Sequence, residues 1–307
     1  MVNFHGYNKK KNFFEGWYFK HQCGNDTVSF IPGVNIGMDG NRMAFIQVIT
    51  KNKSYDLHYS YLDFSVSDGN LEIRIGDNLF SKSGIDVNIE DKEVSIKGSI
   101  KYEGMTPFTH NIMGPFSKFP FMECNHEIIS MYHILKGSLT INEETINFDK
   151  GVGYIEKDWG SSFPKNYIWV QGNDFKESRS SVMASVAEIP FLGFKFRGCI
   201  AVVNYNGMEY RFATYNGTRI LRAEEGGITL YKKKERLEID ITRGMGHKLK
   251  SPVNGEMKRN IREHPNCKGT FRLYINDKVE FTLKSDNCSF EYVKNQHVPV
   301  DESHWKM

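Results

Sequence analysis

Apolar and polar residues alternate with a period of two along many short segments, and this pattern limits the fold more than any other feature of the sequence. Over 55–61 and 85–89, large apolar or tyrosine side chains alternate with Asp, His, Ser or Asn. Such alternation is typical of strands with one solvated face. The dipeptides Asn206-Gly207, Asn216-Gly217 and Asn276-Asp277 predict hairpin turns between strands. The sequence therefore predicts an all-β fold.

The length of the chain indicates how these strands are divided. The chain has 307 residues, of which 39% are hydrophobic and 13% aromatic, so it can bury a large core. A single barrel of this length would be unusually large, whereas two antiparallel barrels in tandem are of ordinary size. We expect domains at 1–157 and 158–307, with less than about 15% helix.

Charge and cysteine content exclude several classes of function. The net charge is +3, from 40 basic and 37 acidic residues, which gives no nucleic-acid footprint. The basic runs 9–11 and 232–234 are interpreted as solvated, with peripheral contact to an anionic membrane as the alternative. No apolar run of 18 residues and no secretory signal occur, and five widely spaced cysteines favour free thiols, so a cytoplasmic location is expected.

Motifs for cofactors and metals are absent from the sequence. It contains no GxGxxG, P-loop, HExxH, EF-hand or GxSxG pattern. Glu123, His126 and His133 come close to a ligand cluster, but 126 and 133 differ by an odd number and would face opposite sides of a strand. We expect no metal site and no cofactor.

The segment 153–172 combines three ionisable side chains with large aromatic ones. If it is extended, Glu156 and Asp158 share one face, and Lys157 and Trp159 share the other. Buried charge beside aromatic surface shifts pKa values, and such groups cluster at functional sites. Asp158 and Lys157 are therefore catalytic candidates at a barrel mouth; the alternative is a structural corner in which Asp158 caps backbone N–H groups.

Two further acids occupy apolar surroundings. Glu15 stands among aromatic residues at 13–19, and its alternative role is that of a buried partner for Lys or Arg. Glu188 follows the apolar run 182–186, where it either points into a cavity or ends a strand in solvent.

A family resemblance rests on four motifs together. The chain resembles the tocopherol cyclase family from about residue 13 to about residue 293, and is more distantly similar to carotenoid hydratases and lipocalin-like Diels–Alder cyclases. The residues that carry it are FEGWYF at 14–19, GPF at 114–116, PFMEC at 120–124 and GYIEKDWG at 153–160 with Phe163-Pro164, Trp169 and Gln171. Carotenoid hydratases have Asp-His-Asn-Trp-Gly at 156–160, so Lys157 replaces their histidine.

The resemblance implies two tandem lipocalin-like (calycin-type) barrels and a cofactor-free cyclisation. An acid would protonate the trisubstituted double bond of a prenylated hydroquinone, and the phenol oxygen would close on the cation to give a chromanol. This chemistry requires a carboxylic acid of raised pKa, aromatic faces and exclusion of water. Asp158 is the first choice of proton donor and Glu188 the second. The expected substrate-binding residues are Glu15, Trp17, Tyr18, His126, Trp159, Trp169 and Gln171.

Two other functions remain open at this stage. The chain could be a non-catalytic lipocalin-like carrier of a hydrophobic ligand, or a hydratase of an isoprenoid double bond. A carrier needs apolar walls, whereas a cyclase also needs a proton donor in the cavity. All of these functions have a hydrophobic small molecule as the partner.

Overall fold

The alternating segments form two antiparallel sheets that follow one another along the chain. The computed structural model describes residues 3–67, 69–108, 110–119, 122–175, 179–191 and 193–294. The first sheet has twelve strands and the second has ten. Both are built from antiparallel pairs, so the all-β prediction is confirmed.

The first sheet contains the strands from Phe13 to Gly160. Its order is β4-β3-β2-β1-β12-β10-β9-β8-β7-β6-β5, and β11 pairs with β10. The strands are β1 (Phe13–Cys23), β2 (Asp26–Ile36), β3 (Arg42–Thr50), β4 (Ser54–Ser60), β5 (Phe64–Val66), β6 (Glu72–Ile75), β7 (Asn78–Ser81), β8 (Gly84–Glu90), β9 (Ser95–Glu103), β10 (Cys124–Ile141), β11 (Glu144–Asn147) and β12 (Val152–Gly160).

The second sheet contains the strands from Tyr167 to Val293. Its order is β16-β15-β14-β13-β22-β21-β19-β18-β17, and β20 pairs with β21. The strands are β13 (Tyr167–Gly172), β14 (Ser181–Phe191), β15 (Phe194–Tyr205), β16 (Met208–Ala213), β17 (Arg219–Glu224), β18 (Gly227–Lys232), β19 (Glu235–Thr242), β20 (His247–Val253), β21 (Glu256–Ile275) and β22 (Lys278–Val293).

The two sheets share one topology. In each, the first strand lies between the second and the last: β1 pairs with β2 and β12, and β13 pairs with β14 and β22. The two edges of each sheet are consecutive along the chain, β4 with β5 and β16 with β17. Each sheet is therefore a meander that curves round on itself, and we call the two units the first and second barrel.

Short 3-10 segments make up the helix in the described residues. They are Tyr61–Asp63, Gly114–Lys118 and Thr214–Asn216. The last of these corrects one expectation: Asn216-Gly217 ends a 3-10 segment between two unpaired edges rather than forming a hairpin turn. Asn206-Gly207 and Asn276-Asp277 do join paired strands, with positive φ at all four residues. Within the described residues, no helix has the length and apolarity needed to cross a bilayer.

Apolar side chains form three clusters. One fills the first barrel and includes Trp17 and Phe19, and another fills the second barrel and includes Phe271. The third cluster lies between the barrels, where Tyr18 and Trp169 meet edge to face at 5.4 Å. Neighbouring residues on β1 thus belong to different clusters, because side chains alternate between the two faces of a strand.

The change from one sheet to the other falls between Gly160 and Tyr167. The proposed boundary after residue 157 lies inside β12, three residues before that strand ends. The boundaries 1–157 and 158–307 remain a prediction about independent folding.

Gly160, the glycine of the Asp-Trp-Gly segment, ends β12 in a conformation that disfavours other residues. Its φ is 153°, and a Cβ atom there would overlap the carbonyl oxygen of Glu123. We expect Gly160→Ala to lower the free energy of unfolding by about 2 kcal/mol or more. Gly226→Ala is the control, since nothing lies within 4 Å of its added Cβ. Equal effects of the two substitutions in urea unfolding would contradict this account.

Candidate active site

A cavity of about 180 Å³ lies between the two barrels. Residues of both sheets contribute to its wall, which corrects the expectation of a site at one barrel mouth. Most of the wall is apolar, as expected for a small-molecule site. The apolar lining includes Phe14, Ile31, Phe45, Met113, Phe116, Met122, Phe163, Trp169, Ile189, Phe196, Leu249 and Ile261.

Strand β12 gives this cavity two of its acids. Glu156 and Asp158 line the cavity, whereas Lys157 points to the other face of the sheet, where it contacts Glu15. The expectation that Glu156 and Asp158 share a face is confirmed. Lys157 therefore lies away from Asp158.

His126 joins the two carboxylates. It lies on β10, where it is the register partner of Asp158. Its Nδ1 is 2.9 Å from Oδ1 of Asp158, and its Nε2 is 3.5 Å from Oε2 of Glu156. Burial lowers the pKa of His126, but Glu156 and Asp158 more than offset this and raise it to about 9. At neutral pH the ring is a cation between two acids.

Glu156 is the buried member of this group. Burial raises its pKa to about 7, and the Asp158 carboxylate adds to the increase while His126 opposes it. The Tyr154 hydroxyl donates to Oε2 at 2.6 Å, and the indole N–H of Trp169 donates to the same oxygen at 3.3 Å. Glu156 therefore holds a proton in part of the molecules at pH 7, which suits a general acid.

The same three residues could also hold a cation. One ligand atom from each of His126, Glu156 and Asp158 lies within 4.8 Å of the others. Because Nδ1 of His126 contacts Asp158 directly, Nε2 is the nitrogen that would bind a metal, and the ring must first lose the proton that its raised pKa favours. The sequence predicts no metal site, and the ligand cluster it suggests places Glu123 and His133 with His126.

Glu123 and His133 lie apart from this group. Glu123 is exposed at the cavity wall. His133 is buried, with its ring 4.3 Å from Tyr102 and its Nδ1 3.1 Å from the Ser130 hydroxyl. His126 and His133 thus lie in different environments. Pro120 and Phe121 of the PFMEC motif lie outside the described residues.

The second barrel contributes a further acid that the sequence did not indicate. Glu291 lies on β22, lines the cavity and accepts a hydrogen bond of 2.5 Å from the Tyr167 hydroxyl. Burial, with the neighbouring carboxylates Glu263 and Glu156, raises the pKa of Glu291 well above its ordinary value. These surroundings disfavour the ionised form of Glu291. Its place across the cavity depends on how the barrels pack, which periodicity does not reveal.

Behind the cavity wall, a buried polar network joins the barrels. Tyr18 lines the cavity, and its hydroxyl donates to Oε1 of Glu263 at 2.6 Å. Lys20 donates to Oε1 of Gln171 at 2.7 Å. Burial raises the pKa of Glu263 to about 7 and lowers that of Lys20 to about 8. Gln171, expected to bind substrate, thus belongs to this network and does not line the cavity.

Four other expected site residues form a closed cluster on the inner face of the first sheet. Lys157 and Glu15 are fully buried and lie 3.2 Å apart. The Lys157 ammonium is 4.7 Å from the Trp159 ring and 6.0 Å from the Trp17 ring. We expected Trp17 and Trp159 to line one cavity with at least one of the candidate acids, but Asp158 lines the cavity between the barrels and the two tryptophans lie outside its wall. Glu15 instead has its alternative role as the buried partner of a lysine.

Glu188, the second candidate for the proton donor, is also placed outside the cavity wall. Partial burial raises the pKa of Glu188, but hydrogen bonds from Asn166 and Lys195 more than offset this and hold it below its ordinary value. The Lys195 ammonium lies 3.0 Å from its carboxylate. Glu188 is therefore ionised at neutral pH, which corrects its assignment as a proton donor.

A comparison with known proteins identifies the family to which this chain belongs. The family model described as tocopherol cyclase-like matches residues 87–292, which is more than half of the chain. The chain belongs to the tocopherol cyclase-like family. The resemblance drawn from the four motifs is thereby confirmed, and it supports a cyclase-like enzyme.

Two plant relatives match over a shorter range. A probable chloroplastic tocopherol cyclase of Oryza sativa subsp. japonica is 28% identical over 109 residues, and the chloroplastic tocopherol cyclase of Zea mays is 27% identical over 109 residues. In both cases the match covers 34% of this chain and 23% of the relative. The chain thus matches about a quarter of the length of these relatives.

Solved structures show the same fold at low identity. Kievitone hydratase from Nectria haematococca has a TM-score of 0.54 and 14% identity, covering 92% of this chain and 89% of its own. CghA has a TM-score of 0.60 and 10% identity over the same shares. These likenesses concern the fold alone, and they agree with the predicted lipocalin-like architecture.

The buried pair Lys157–Glu15 gives a prediction about stability. Lys157→Met leaves the Glu15 carboxylate buried without its ammonium partner, so we expect the free energy of unfolding to fall by about 3 kcal/mol. Lys195→Met is the matched control, because it breaks a partly exposed pair with Glu188 and should cost less than about 1 kcal/mol. Urea unfolding measures both. Similar losses in the two variants would contradict the structural role of Lys157.

The raised pKa of Glu263 predicts how the stability of the protein depends on pH. Its folded-state pKa of about 7 lies above the ordinary 4.5, so the stability it contributes is complete below about pH 4.5 and is lost as the pH rises through about 7. From about pH 5 to about pH 7.5 the wild type should lose about 2 kcal/mol relative to Glu263→Gln.

The matched control for this measurement is Glu188→Gln. The pKa of Glu188 is lowered, so its contribution is already complete above about pH 4.5. The stability difference between wild type and Glu188→Gln should therefore stay level over the same pH range. A level difference for Glu263→Gln as well would show that Glu263 is ionised in the folded protein.

Proposed function

We propose that this protein is an isomerase that closes the ring of a prenylated hydroquinone, or of a related isoprenoid, by acid catalysis. The observation that carries the proposal is the pair of acids on β12. Glu156 is buried with a pKa of about 7, and Asp158 lies two residues away on the same cavity wall beside the His126 cation. Two carboxyl groups in different environments can act as acid and base in one turnover.

Glu156 is the proton donor that this geometry favours. Its proton adds to the less substituted alkene carbon of the substrate, which leaves a tertiary cation and a Glu156 carboxylate. The phenol oxygen then bonds to the cation, and its proton passes to the Asp158 carboxylate. Product and substrate have the same composition, and proton exchange with solvent restores both acids. The assignment of the donor to Asp158, made from the sequence, remains the competing prediction.

Aromatic groups beside the acids suit a cationic intermediate. Trp169 and Tyr18 both line the cavity next to Glu156, and their rings meet at 5.4 Å. The Trp169 N–H already bonds to Glu156, so the indole is fixed in orientation. A ring face held near the reacting carbon stabilises positive charge, and apolar walls limit attack by water.

The buried Glu291 carboxyl group supplies a second polar contact across the cavity. A hydroquinone has two hydroxyl groups, and only one of them closes the ring. Glu291, fixed by Tyr167 at 2.5 Å, is suited to hydrogen-bond the other. Such a contact would orient the aromatic head and leave the prenyl tail to the apolar wall.

The size of the cavity limits how such a substrate binds. A volume of about 180 Å³ is below the roughly 300–1,000 Å³ of typical ligand pockets. A quinol head group fits this space, and the tail must extend out of it or displace side chains. Met113, Met122 and Met257 line the wall, and methionine side chains adapt to ligands at little cost.

The alternative functions are less well supported by the same cavity. A carrier needs apolar walls with one polar anchor, but several ionisable groups, among them His126, Glu156, Asp158 and Glu291, line this space. A hydratase would use the same acid and add water to the cation. Its product would be heavier by one water, whereas a cyclisation product has the mass of the substrate.

Substitution of the two acids tests the mechanism. Glu156→Gln keeps the hydrogen bonds but removes the transferable proton, so turnover of a geranylgeranyl- or phytyl-benzoquinol should fall by about 10²-fold or more. In the wild type, turnover should fall as the pH rises above about 7, where Glu156 ionises. Asp158→Asn should also slow turnover while ligand binding survives. Glu188→Gln is the control and should keep full activity.

Product analysis by chromatography and mass spectrometry separates the outcomes. Full turnover by Glu156→Gln with loss in Asp158→Asn would return the donor role to Asp158. Full turnover by both variants would refute the proposed site. Binding of the quinol without any isomeric product, in the wild type, would favour the carrier.

A further inference from the structure

Two loops from different barrels meet at the edge of the cavity. One is the 3-10 segment Gly114–Lys118 of the first barrel, and the other is the hairpin between β14 and β15 of the second. The rings of Phe116 and Phe196 stack across this junction at 5.9 Å with an interplanar angle of 29°. Both residues also line the cavity.

Aromatic side chains continue from this junction to the protein surface. Phe119 follows the 3-10 segment and lies 6.1 Å from Phe116, and Phe194 begins β15. Phe194 is 78% exposed and Phe119 is 37% exposed. We call Phe116, Phe119, Phe194 and Phe196 the aromatic lip. Large apolar side chains grouped at the surface mark interaction sites, whereas single ones are ordinary.

Charges around the aromatic lip are mainly basic. Lys118, Lys195 and Arg197 are exposed and adjoin lip residues in sequence. Two acids oppose them: Glu188 lies 3.0 Å from Lys195 and is the register partner of Arg197, and Glu123 is exposed at the cavity wall. The basic side chains are therefore in small excess. Lys195 and Arg197 alternate with Phe194 and Phe196 along β15, so this hairpin carries basic side chains on one face and apolar ones on the other. Apolar and basic side chains together suit the boundary between acyl chains and anionic headgroups.

We propose that the aromatic lip docks this protein on an anionic membrane, with the cavity edge facing the lipid. Phe119 and Phe194 enter the headgroup–acyl boundary, and the basic side chains contact lipid phosphates. A lipophilic ligand then passes from the bilayer into the cavity along Phe116 and Phe196 without crossing water. This entry route rests on the proposed function, whereas the docking itself does not.

The docking surface differs from the one suggested by basic runs in the sequence. Lys232 of the run 232–234 pairs with Glu235 at 2.7 Å and donates to the carbonyl of Arg211. Its charge is therefore used within the second barrel. The lip, by contrast, combines apolar exposure with basic charge at the edge of the cavity that holds Glu156 and Asp158.

Vesicle flotation tests the docking. Wild-type protein should float with vesicles of phosphatidylcholine and phosphatidylglycerol and bind more weakly to phosphatidylcholine alone. The double variant Phe119→Ser/Phe194→Ser should lose about tenfold or more in affinity. Leu62→Ser is the matched control: Leu62 is 93% exposed on the segment Tyr61–Asp63, away from the cavity lining, and should keep wild-type affinity.

Two results would overturn the proposal. One is wild-type protein that binds neither vesicle, and the other is an equal loss in Leu62→Ser and the lip variant. A fluorescence measurement locates the surface that contacts the lipid. Brominated phospholipid vesicles should quench the added tryptophan fluorescence of the Phe194→Trp variant and leave that of the Leu62→Trp variant unchanged. Quenching of both, or of Leu62→Trp alone, would place the docking surface elsewhere and contradict the lip.

Activity measurements separate this proposal from the cyclisation. The lip variant should turn over a detergent-solubilised quinol at the wild-type rate and lose rate with quinol embedded in vesicles. Equal rates on both would refute the entry route. Vesicle binding in a protein with no cyclase activity would uphold the docking and reject the proposed function.

Discussion

Strand β12 carries charge on both of its faces, and the architecture neutralises each face with a different part of the chain. Lys157 enters the first barrel and meets Glu15 there, while Glu156 and Asp158 face the second barrel and meet His126. Because side chains alternate along a strand, a charged side chain on one face cannot pair with a partner on the other face. The same strand therefore supports the barrel interior and the cavity acids.

Packing between the barrels creates the low-dielectric setting that these acids need. The outward residues of β1 and β13, such as Tyr18 and Trp169, pack against each other and seal one side of the cavity. Desolvation there keeps protons on Glu156, Glu263 and Glu291 at pH values where exposed acids are ionised. Neither barrel alone would bury these groups, so their raised pKa values depend on the interface.

The sequence predicted the strands and the shared face of Glu156 and Asp158 because both follow from a period of two. It left open whether Glu15 lines the cavity or pairs with a buried base, and it did not place Trp159 beside Lys157 on the face away from the cavity, since the period does not say which face is the cavity. His126 reaches Asp158 through the register of β10 and β12, and Glu291 comes from the other barrel. Such contacts depend on register and packing, which are not local properties of the chain.

The topology also bears on how the protein folds. Each barrel needs its first strand to pair with its last, as Phe14 does with Gly160 and Tyr167 with Val293. During synthesis β1 has one free edge until β12 has left the ribosome, and closing so long a loop makes folding slow. The acids of β12 therefore enter the fold last in the first barrel. The cavity forms only after β22 completes the second.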